Sequence, residues 1–361
     1  MRRLLSVIAA FVLVLTVSGC RGEAGEPSGA ERRSSGCRLE TALEELDRRK
    51  LPVIVAYSRD GEEPAVQEFG LLRVDGLASE ETLVDIGSIT KTVTAVAISK
   101  LVDQGKIRLD ETLGDVFSDV PTDKSAITAK QLLTHSGGLA EAVGDDSEQL
   151  DRDDFLARAF ASELVQAPGA GYAYSNVGYS ILAAVIEIRS GRSYEEYLHE
   201  EVLSPAGLGD IGYLSSYDDA RSLRSSSGSI YDASWGGHDA SWHLIGNGGL
   251  VTTAETFVAF LQALTDGTIL SSSSLEQLTK PHIAEDDAGS SFYGFGLVVQ
   301  DVPDVGRFLW HDGGNDVFSA EWSMLVDSQD EFFIDGLDQT PGAGTASEAM
   351  SIVRECLYTD P

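Results

Sequence analysis

Basic residues are scarce in this chain of 361 residues, and their scarcity excludes two classes of partner. Lys and Arg number 26 against 58 Asp and Glu, which gives a formal net charge of −32. Such a surface repels phosphates, so neither nucleic acid nor an anionic membrane is expected to bind the folded part. Histidine is also scarce. The six present are scattered without the paired ligand spacing that zinc requires, so we predict no metal and no other cofactor.

Long apolar runs are equally rare, and the one run long enough to matter is at the N-terminus. Residues 4–17 are apolar, follow Arg2 and Arg3, and lead into Val17-Ser18-Gly19-Cys20. A short apolar segment with this beginning and end is typical of a targeting signal rather than of the fold. The pattern resembles a bacterial lipoprotein signal, which implies cleavage before Cys20 and lipidation of that cysteine. An ordinary secretory signal with a chance cysteine is the alternative.

These features predict three segments. Residues 1–19 are a signal peptide, residues 20–37 are a polar Gly/Ser/Glu-rich tether, and residues 38–358 form the enzyme-sized domain. We therefore expect an exported protein that is lipid-anchored in a bacterial cell envelope, on the periplasmic or extracellular face. It would touch the membrane only through its N-terminal anchor.

Two cysteines remain besides Cys20. Cys37 precedes the first predicted helix and Cys356 lies near the end of the chain. In an exported protein a pair of cysteines is more often bridged than free. We predict a Cys37–Cys356 disulfide that ties the two ends of the domain together.

Hydrophobic periodicity predicts an α+β fold. An amphipathic helix is predicted at 38–49, two strands joined by a turn at Arg59-Asp60-Gly61 at 51–76, and a helix from Ser88 to Gln104. Strand patterns return at 290–300, 307–314, 319–328 and 330–337, and a last helix covers 346–357. We expect an antiparallel sheet built from both chain ends, about 38–110 and 290–358, with an inserted mainly helical region at about 111–289.

A serine and a lysine near the start of the second predicted helix share one face of that helix. Ser88 and Lys91 are three residues apart in an otherwise apolar stretch, so the amine can reach the serine oxygen. At a helix N-terminus the positive end of the dipole favours an oxyanion and lowers the pKa of the lysine. A lysine deprived of solvent can take the proton of the serine. A helix-capping serine is the alternative, since one such spacing is expected by chance.

Two further short motifs lie far along the chain. Tyr174 and Asn176 stand in a turn ahead of a predicted helix, and the tyrosine can act as a base if neighbouring positive charge lowers its pKa. His311, Gly313 and Gly314 end a predicted strand, where paired glycines let a ligand approach the backbone. Taken singly, each is as well explained by an ordinary turn or strand end.

Taken together and in this order, the three motifs resemble those of one family. Ser-x-x-Lys, Tyr-x-Asn and Lys/His-x-Gly are the motifs of the serine β-lactamase and penicillin-binding-protein superfamily. The similarity is to its class C β-lactamase-related branch, which includes D-alanyl-D-alanine carboxypeptidases, D-aminopeptidases and esterases. The stretches QLLTHSGGL (131–139) and NGGLVTTAETFVAF (247–260) are also similar to family segments beside the cleft. The resemblance covers about residues 39–358.

The resemblance implies a serine hydrolase that works through an acyl-enzyme. Ser88 would be the nucleophile, and Lys91 and Tyr174 would shuttle its proton. Asn176 would position the substrate or Lys91, and the N–H groups of Ser88 and Gly314 would form the oxyanion hole. His311 and Gly313 would complete the substrate-binding motif.

The third motif departs from that of true β-lactamases, which carry lysine where this chain has His311. Asp312 follows it, and further acids are expected near the cleft, namely Asp316, Glu141, Asp145 and Asp146. An acidic rim repels an anionic β-lactam or a peptide carboxylate. We therefore predict a small-molecule or peptide substrate that is a neutral ester or amide, or that bears an amine. A class C-like β-lactamase and a non-catalytic peptidoglycan-binding relative are the alternatives, and the oligomeric state is left open.

Overall fold

Strands from both ends of the chain form one large sheet. The computed structural model describes residues 38–70, 81–218, 221–222, 224–225, 228–229, 235, 240–338, 340 and 342–358. Within these residues the strands are β1 (Val53–Ser58), β2 (Ala65–Phe69), β3 (Val84–Asp85), β4 (Ile211–Tyr213), β5 (Arg224–Ser225), β6 (Gly228–Ser229), β7 (Leu250–Thr252), β8 (Ile283–Ala284), β9 (Phe292–Tyr293), β10 (Val298–Val302), β11 (Gly306–Gly314), β12 (Phe318–Leu325) and β13 (Asp330–Leu337).

The large sheet has eight strands in the order β2-β1-β13-β12-β11-β10-β9-β8, and every pairing in it is antiparallel. Strand β1 lies beside β13, so the first and last strands of the chain are neighbours. The predicted α+β class and the antiparallel sheet built from both chain ends are confirmed. Two small sheets, β3-β7-β4 and β5-β6, lie outside it.

The helices are α1 (Leu39–Arg49), α2 (Thr90–Asp103), α3 (Leu113–Val116), α4 (Ala129–Leu133), α5 (Arg152–Ala161), α6 (Asn176–Ser190), α7 (Tyr194–Tyr197), α8 (Ala254–Thr265), α9 (Ser272–Leu278) and α10 (Thr345–Tyr358). Most of them come between β3 and β8, as an inserted helical region predicts. A π-helix, Leu198–Leu203, continues α7. Among the residues described, no helix is both long and apolar enough to cross a membrane.

The two terminal helices cover one face of the sheet. Apolar side chains of α1 and α10 form a core with strands β1 and β13, and its helical members are Leu39, Ala42, Leu43, Leu46, Ala346, Ala349, Met350, Val353 and Leu357. The other face packs against the inserted helices in a second, larger core. Helix α2 lies inside that core, and most of its residues are buried. The stretch that begins at Ser88, the predicted nucleophile, is therefore anchored in the larger core through α2.

The described residues include only one of the two cysteines in the predicted disulfide. Cys356 lies in α10, takes part in a disulfide bond, and has its Sγ 3.2 Å from the carbonyl oxygen of Arg38. Its predicted partner, Cys37, and the predicted lipidation site, Cys20, lie outside the described residues. The pairing, the signal peptide and the tether therefore stay predictions.

One predicted strand is interrupted. The pattern at 290–300 predicts a continuous strand, but the structure has β9 and β10 separated by a turn in which the N–H of Gly294 donates to the carbonyl oxygen of Leu297. In that turn a Cβ on Gly296 would lie 2.4 Å from the carbonyl oxygen of Lys91. The close approach of α2 and the φ of 67° at Gly296 restrict this position of the turn to glycine.

Candidate active site

Ser88 lies in a tight turn just before α2. Residues Gly87–Ile89 form one turn of 3₁₀-helix, and the regular α-helix begins only at Thr90. Gly87 has a φ of 46°, and its N–H donates to Oδ1 of the buried Asp85 at 2.8 Å. The left-handed backbone of Gly87 is fixed by its hydrogen bond to Asp85. This fixed turn holds Ser88, the next residue, in one defined position.

The end of strand β11 packs directly on this turn. Strand β10 pairs with β11 only as far as Trp310, so in the described part of the chain no strand pairs with the following residues on that side. A Cβ on Gly313 would lie 2.3 Å from the carbonyl oxygen of Ile86 and 2.7 Å from the N of Ser88. Only glycine fits this approach, which accounts for the glycine of the third motif.

The hydrogen-bond pattern between β11 and β12 sets the direction of the Gly314 N–H. The N–H of Asn315 donates to the carbonyl oxygen of Phe318, so these two residues form a hydrogen-bonded pair between β11 and β12. Hydrogen-bonded and non-bonded pairs alternate along antiparallel strands. The next pair, Gly314 and Ser319, is therefore of the non-bonded kind. The Gly314 N–H is directed away from β12, on the side where the Ser88 turn lies.

Lys91 is completely buried beside the serine. Its Nζ lies 2.9 Å from Oγ of Ser88 and 2.8 Å from the carbonyl oxygen of Asn247, and 4.8 Å from the centre of the Tyr174 ring. Burial lowers the pKa of Lys91 from 10.5 to about 7. The charges of nearby acids act in the opposite direction and are outweighed. A substantial fraction of Lys91 is thus neutral at pH 7, and a neutral amine can accept a proton.

Tyr174 is the second group that contacts the serine oxygen. Its hydroxyl donates to Oγ of Ser88 at 2.8 Å. Burial raises the pKa of Tyr174, and the hydrogen bond with Ser88 offsets this only in part. The sequence predicts Tyr174 as a base only if its pKa is lowered, and burial raises that pKa instead. The protonated phenol donates to Oγ, which leaves Oγ free to donate its own proton to Lys91.

The carbonyl oxygen of Asn247 is a part of the site that sequence reasoning did not identify. Asn247 is buried, and its Nδ2 donates to Oγ of Ser180 at 2.8 Å and to the carbonyl oxygen of His243 at 2.5 Å. These bonds fix the backbone of Asn247, whose carbonyl oxygen accepts a hydrogen bond from Lys91. The similarity of the stretch 247–260 to a family segment beside the cleft assigns no role to Asn247.

Asn176 lies at the first position of α6, close to the loop that carries Glu141. Its backbone N–H donates to the carbonyl oxygen of Glu141 at 3.0 Å, and its Oδ1 is buried without a hydrogen-bond partner among the residues described. The hydrogen bonds of Lys91 go to Ser88 and Asn247 instead. Of the two predicted roles of Asn176, contact with the substrate is therefore the one that stays open.

His311 is buried next to the cleft with both ring nitrogens engaged. Nε2 lies 3.0 Å from the hydroxyl of Tyr293, and Nδ1 lies 2.5 Å from the carbonyl oxygen of Asp312. Burial lowers the pKa of His311 to about 4, so the ring is neutral near pH 7. A neutral imidazole cannot supply the charge with which a lysine would bind a carboxylate. The contact predicted between His311 and the substrate stays a prediction.

Carboxylates surround this site. The negative charges of Asp146, Asp312 and Glu141 act on Lys91, and burial raises the pKa of Asp146. Glu285, which the sequence interpretation did not include, accepts a hydrogen bond from Ser291 at 2.5 Å. Two other predicted rim acids, Asp145 and Asp316, are not among the charges that act on Lys91. Within the described residues no group of His, Cys, Asp and Glu side chains is arranged to hold a metal ion.

Comparison with known proteins finds similarity over most of the chain. A family model described as Beta-lactamase matches residues 39–329. Penicillin-binding protein 4* of Bacillus subtilis (strain 168) is 26% identical over 272 residues, 68% of this chain and 58% of that protein. Esterase EstB of Burkholderia gladioli is 27% identical over 212 residues, 50% of this chain and 52% of the esterase. The chain thus spans little more than half the length of these two relatives.

A solved structure matches over most of the chain. The D-amino acid amidase from Ochrobactrum anthropi SV3 has a TM-score of 0.71 at 21% identity, and the match covers 88% of this chain and 98% of the amidase. A likeness at this identity shows a shared fold.

Proposed function

The chain belongs to the beta-lactamase family, and from that premise we propose that it is a serine hydrolase that forms an acyl-enzyme on Ser88. The observation that carries the proposal is the position of Oγ of Ser88, which lies 2.9 Å from the Lys91 amine and 2.8 Å from the Tyr174 hydroxyl. A nucleophile, a base and an acid within hydrogen-bond reach of one another are the requirement of acyl transfer.

In the proposed acylation Lys91 is the base. Its neutral amine takes the proton of Ser88 while Oγ attacks the carbonyl carbon of the substrate. The N–H groups of Ser88 and Gly314 hold the oxyanion that forms. Tyr174 donates its proton to the leaving amine or alcohol as the bond to the carbonyl carbon breaks. The phenolate recovers a proton from the Lys91 ammonium, so Lys91 and Tyr174 end this step in their starting states, Ser88 is acylated, and its hydroxyl proton has in effect left with the amine or alcohol.

In the proposed deacylation a water molecule replaces the leaving group. The water gives one proton to Lys91, directly or through Tyr174, and its oxygen attacks the acyl carbon. The bond to Oγ then breaks, and Ser88 takes the proton back. The product is a carboxylic acid, and the site returns to its starting state.

The charges around the site favour a substrate without a carboxylate. Glu141, Asp146, Glu285 and Asp312 are acidic, and His311 is neutral with both nitrogens engaged. Such a cleft repels an anion and attracts a cation. We therefore propose a neutral ester or amide, or an amide or ester that carries a free amine, in preference to a β-lactam antibiotic.

Labelling with a serine-reactive fluorophosphonate tests the chemistry. We expect one adduct, located on Ser88 by peptide mass spectrometry, and none in Ser88→Ala. Failure of the folded wild-type protein to form that adduct would refute the hydrolase and favour the non-catalytic binding relative.

Hydrolysis of a small panel tests the substrate class. The matched pair is D-alanine p-nitroanilide and its N-acetyl derivative, compared with p-nitrophenyl butyrate and a chromogenic cephalosporin. We expect the ester or the free amine to be hydrolysed with the highest kcat/KM and Ser88→Ala to be inactive on all four. Preference for the cephalosporin would identify a β-lactamase instead.

The cellular location is a separate proposal. The basic start, the apolar run at residues 4–17 and Cys20 support an envelope lipoprotein. Metabolic labelling with a fatty acid in a bacterial host is expected to mark the wild-type protein, and Cys20→Ser is the matched control. Equal labelling of the two proteins, or none in either, would contradict the proposal.

A further inference from the structure

His135 is a buried histidine next to the site that the mechanism above does not use. It follows α4 and is 1% exposed, with a φ of 52° in the left-handed region. Such a backbone is uncommon for a residue with a side chain and persists only where the surroundings hold it. Its ring is enclosed by the rings of Tyr174, Tyr293 and Tyr179, with centroids 4.4, 4.7 and 5.0 Å away.

Two hydrogen bonds join His135 to the residues on either side of Tyr174. The carbonyl oxygen of His135 accepts the N–H of Ala173 at 2.7 Å, and Nδ1 of its ring accepts the N–H of Ser175 at 3.0 Å. The left-handed backbone and the side chain therefore act on one short segment. His135 therefore hydrogen-bonds both chain neighbours of Tyr174 and also packs against the ring of Tyr174.

The ring must be neutral and in one tautomer for this arrangement. Nδ1 can accept from Ser175 only when it carries no proton, which places the hydrogen on Nε2. Burial, with the charges of Lys91 and His311, keeps the pKa of His135 well below 6.5. Nε2 is buried and has no hydrogen-bond partner among the residues described. The hydrogen bond that the ring makes is thus the one to the segment of Tyr174.

We propose that His135 is a positioning residue that holds the hydroxyl of Tyr174 on Oγ of Ser88. His135 makes its contacts with Tyr174 and its chain neighbours, while the bond to Ser88 is made by Tyr174. The inference rests on the proposed function, because Tyr174 matters only if Ser88 reacts. Its effect is expected on the reaction rate rather than on substrate affinity, since its hydrogen bonds go to the backbone on either side of Tyr174.

A double-mutant cycle separates this role from a general structural one. The rate of Ser88 modification by a fluorophosphonate is measured in the wild type, His135→Phe, Tyr174→Phe and the double variant. Phe keeps a ring in the enclosure but has no acceptor for Ser175. We expect His135→Phe to slow the reaction by about 10- to 100-fold in the wild type, the cost of one lost buried hydrogen bond. In the Tyr174→Phe background it should add less than about twofold.

Equal losses in the two backgrounds would overturn the inference, because His135 would then act independently of Tyr174. If the wild type forms no adduct at all, the proposed function itself fails, and that result is distinguishable from equal losses.

A pair of conservative variants decides the matter even if His135→Phe does not fold. His135→Asn places an amide oxygen near the position of Nδ1, and Asn tolerates a left-handed backbone. His135→Gln places its amide near Nε2 instead. We expect Asn to retain kcat on p-nitrophenyl butyrate within about threefold and Gln to lose about tenfold or more, with KM changed little in both. Equal kcat values for the two variants, or a loss confined to KM, would also overturn the inference.

Discussion

The pH dependence of the reaction is expected to follow the charge of Lys91, and one neighbouring carboxylate offers a way to move it. Burial lowers the pKa of Lys91 from 10.5 to about 7. The shift corresponds to about 5 kcal/mol against the charged amine, at about 1.4 kcal/mol for each pKa unit. Since the base must be neutral, kcat/KM should fall about tenfold for each pH unit below 7 and level off above it.

Asp146→Asn should move this acid limb to lower pH. Among the charges that favour the protonated amine, that of Asp146 is the largest, ahead of Asp312 and Glu141. Removing it makes the ammonium less stable, so the pKa of Lys91 falls and activity persists at lower pH. An opposite charge that acts through space, without a direct ion pair, contributes about 0.4–2 kcal/mol at effective dielectric constants of about 80 to 20. The expected displacement is therefore about 0.3–1.5 pH units.

The assay measures kcat/KM for p-nitrophenyl butyrate from about pH 5 to pH 9, because this substrate has no group that titrates in that range. Asp145→Asn is the matched control. It removes the same charge one residue away, and Asp145 is bound to Ser147 and is not among the charges that act on Lys91. An acid limb that stays in place in Asp146→Asn, or that moves equally in both variants, would refute the assignment of Lys91 as the base.

Three more perturbations have defined outcomes. Gly313→Ala should lower kcat about 100-fold or more and reduce the melting temperature, because the new Cβ would overlap the Ser88 turn, whereas Gly209→Ala, where a Cβ meets nothing within 4 Å, should leave both unchanged. Tyr174→Phe should lower kcat by about 10²- to 10⁴-fold with a stable fold, and a fully active variant would exclude the tyrosine as the acid. Lys91→Met should raise the free energy of unfolding at pH 7 by about 2–4 kcal/mol, after a discount for the lost hydrogen bonds. Because the folded pKa of the lysine is lowered, this gain is full below about pH 7 and disappears above about pH 10.5, which denaturant titrations at several pH values would measure.

The parts of the site that could be predicted from sequence are those that depend on local spacing. Ser88 and Lys91 share a face because three residues separate them, and the glycines after His311 indicate close backbone approach whatever the fold around them. The sheet and most helices were predictable for the same reason, since alternation and helical periodicity are local. The helix α9 was not predicted, because its run of serines has no apolar period.

The parts that could not be predicted depend on contacts between distant residues. Lys91 and Asn247 are 156 positions apart, and the contact uses a backbone carbonyl, which every residue has. No residue type marks such a role in a sequence. The contact of His135 with the segment of Tyr174 has the same character, since it joins a side-chain nitrogen to a backbone N–H 40 positions away. The pKa of Tyr174 could not be inferred either, because it depends on how completely the assembled core removes water.

Burial assigns opposite roles to the two groups that contact Ser88. Removing water disfavours whichever form is charged, so the same core lowers the pKa of Lys91 and raises that of Tyr174. Near pH 7 this leaves much of the amine without its extra proton and the phenol with its proton, and both states are neutral. An amine in that state has a lone pair that can accept the proton of Oγ, and a phenol in that state donates to Oγ. The acid and base of the proposed reaction therefore follow from one physical cause, and a variant that admits water beside Lys91 should leave the amine protonated at pH 7 and unable to act as the base.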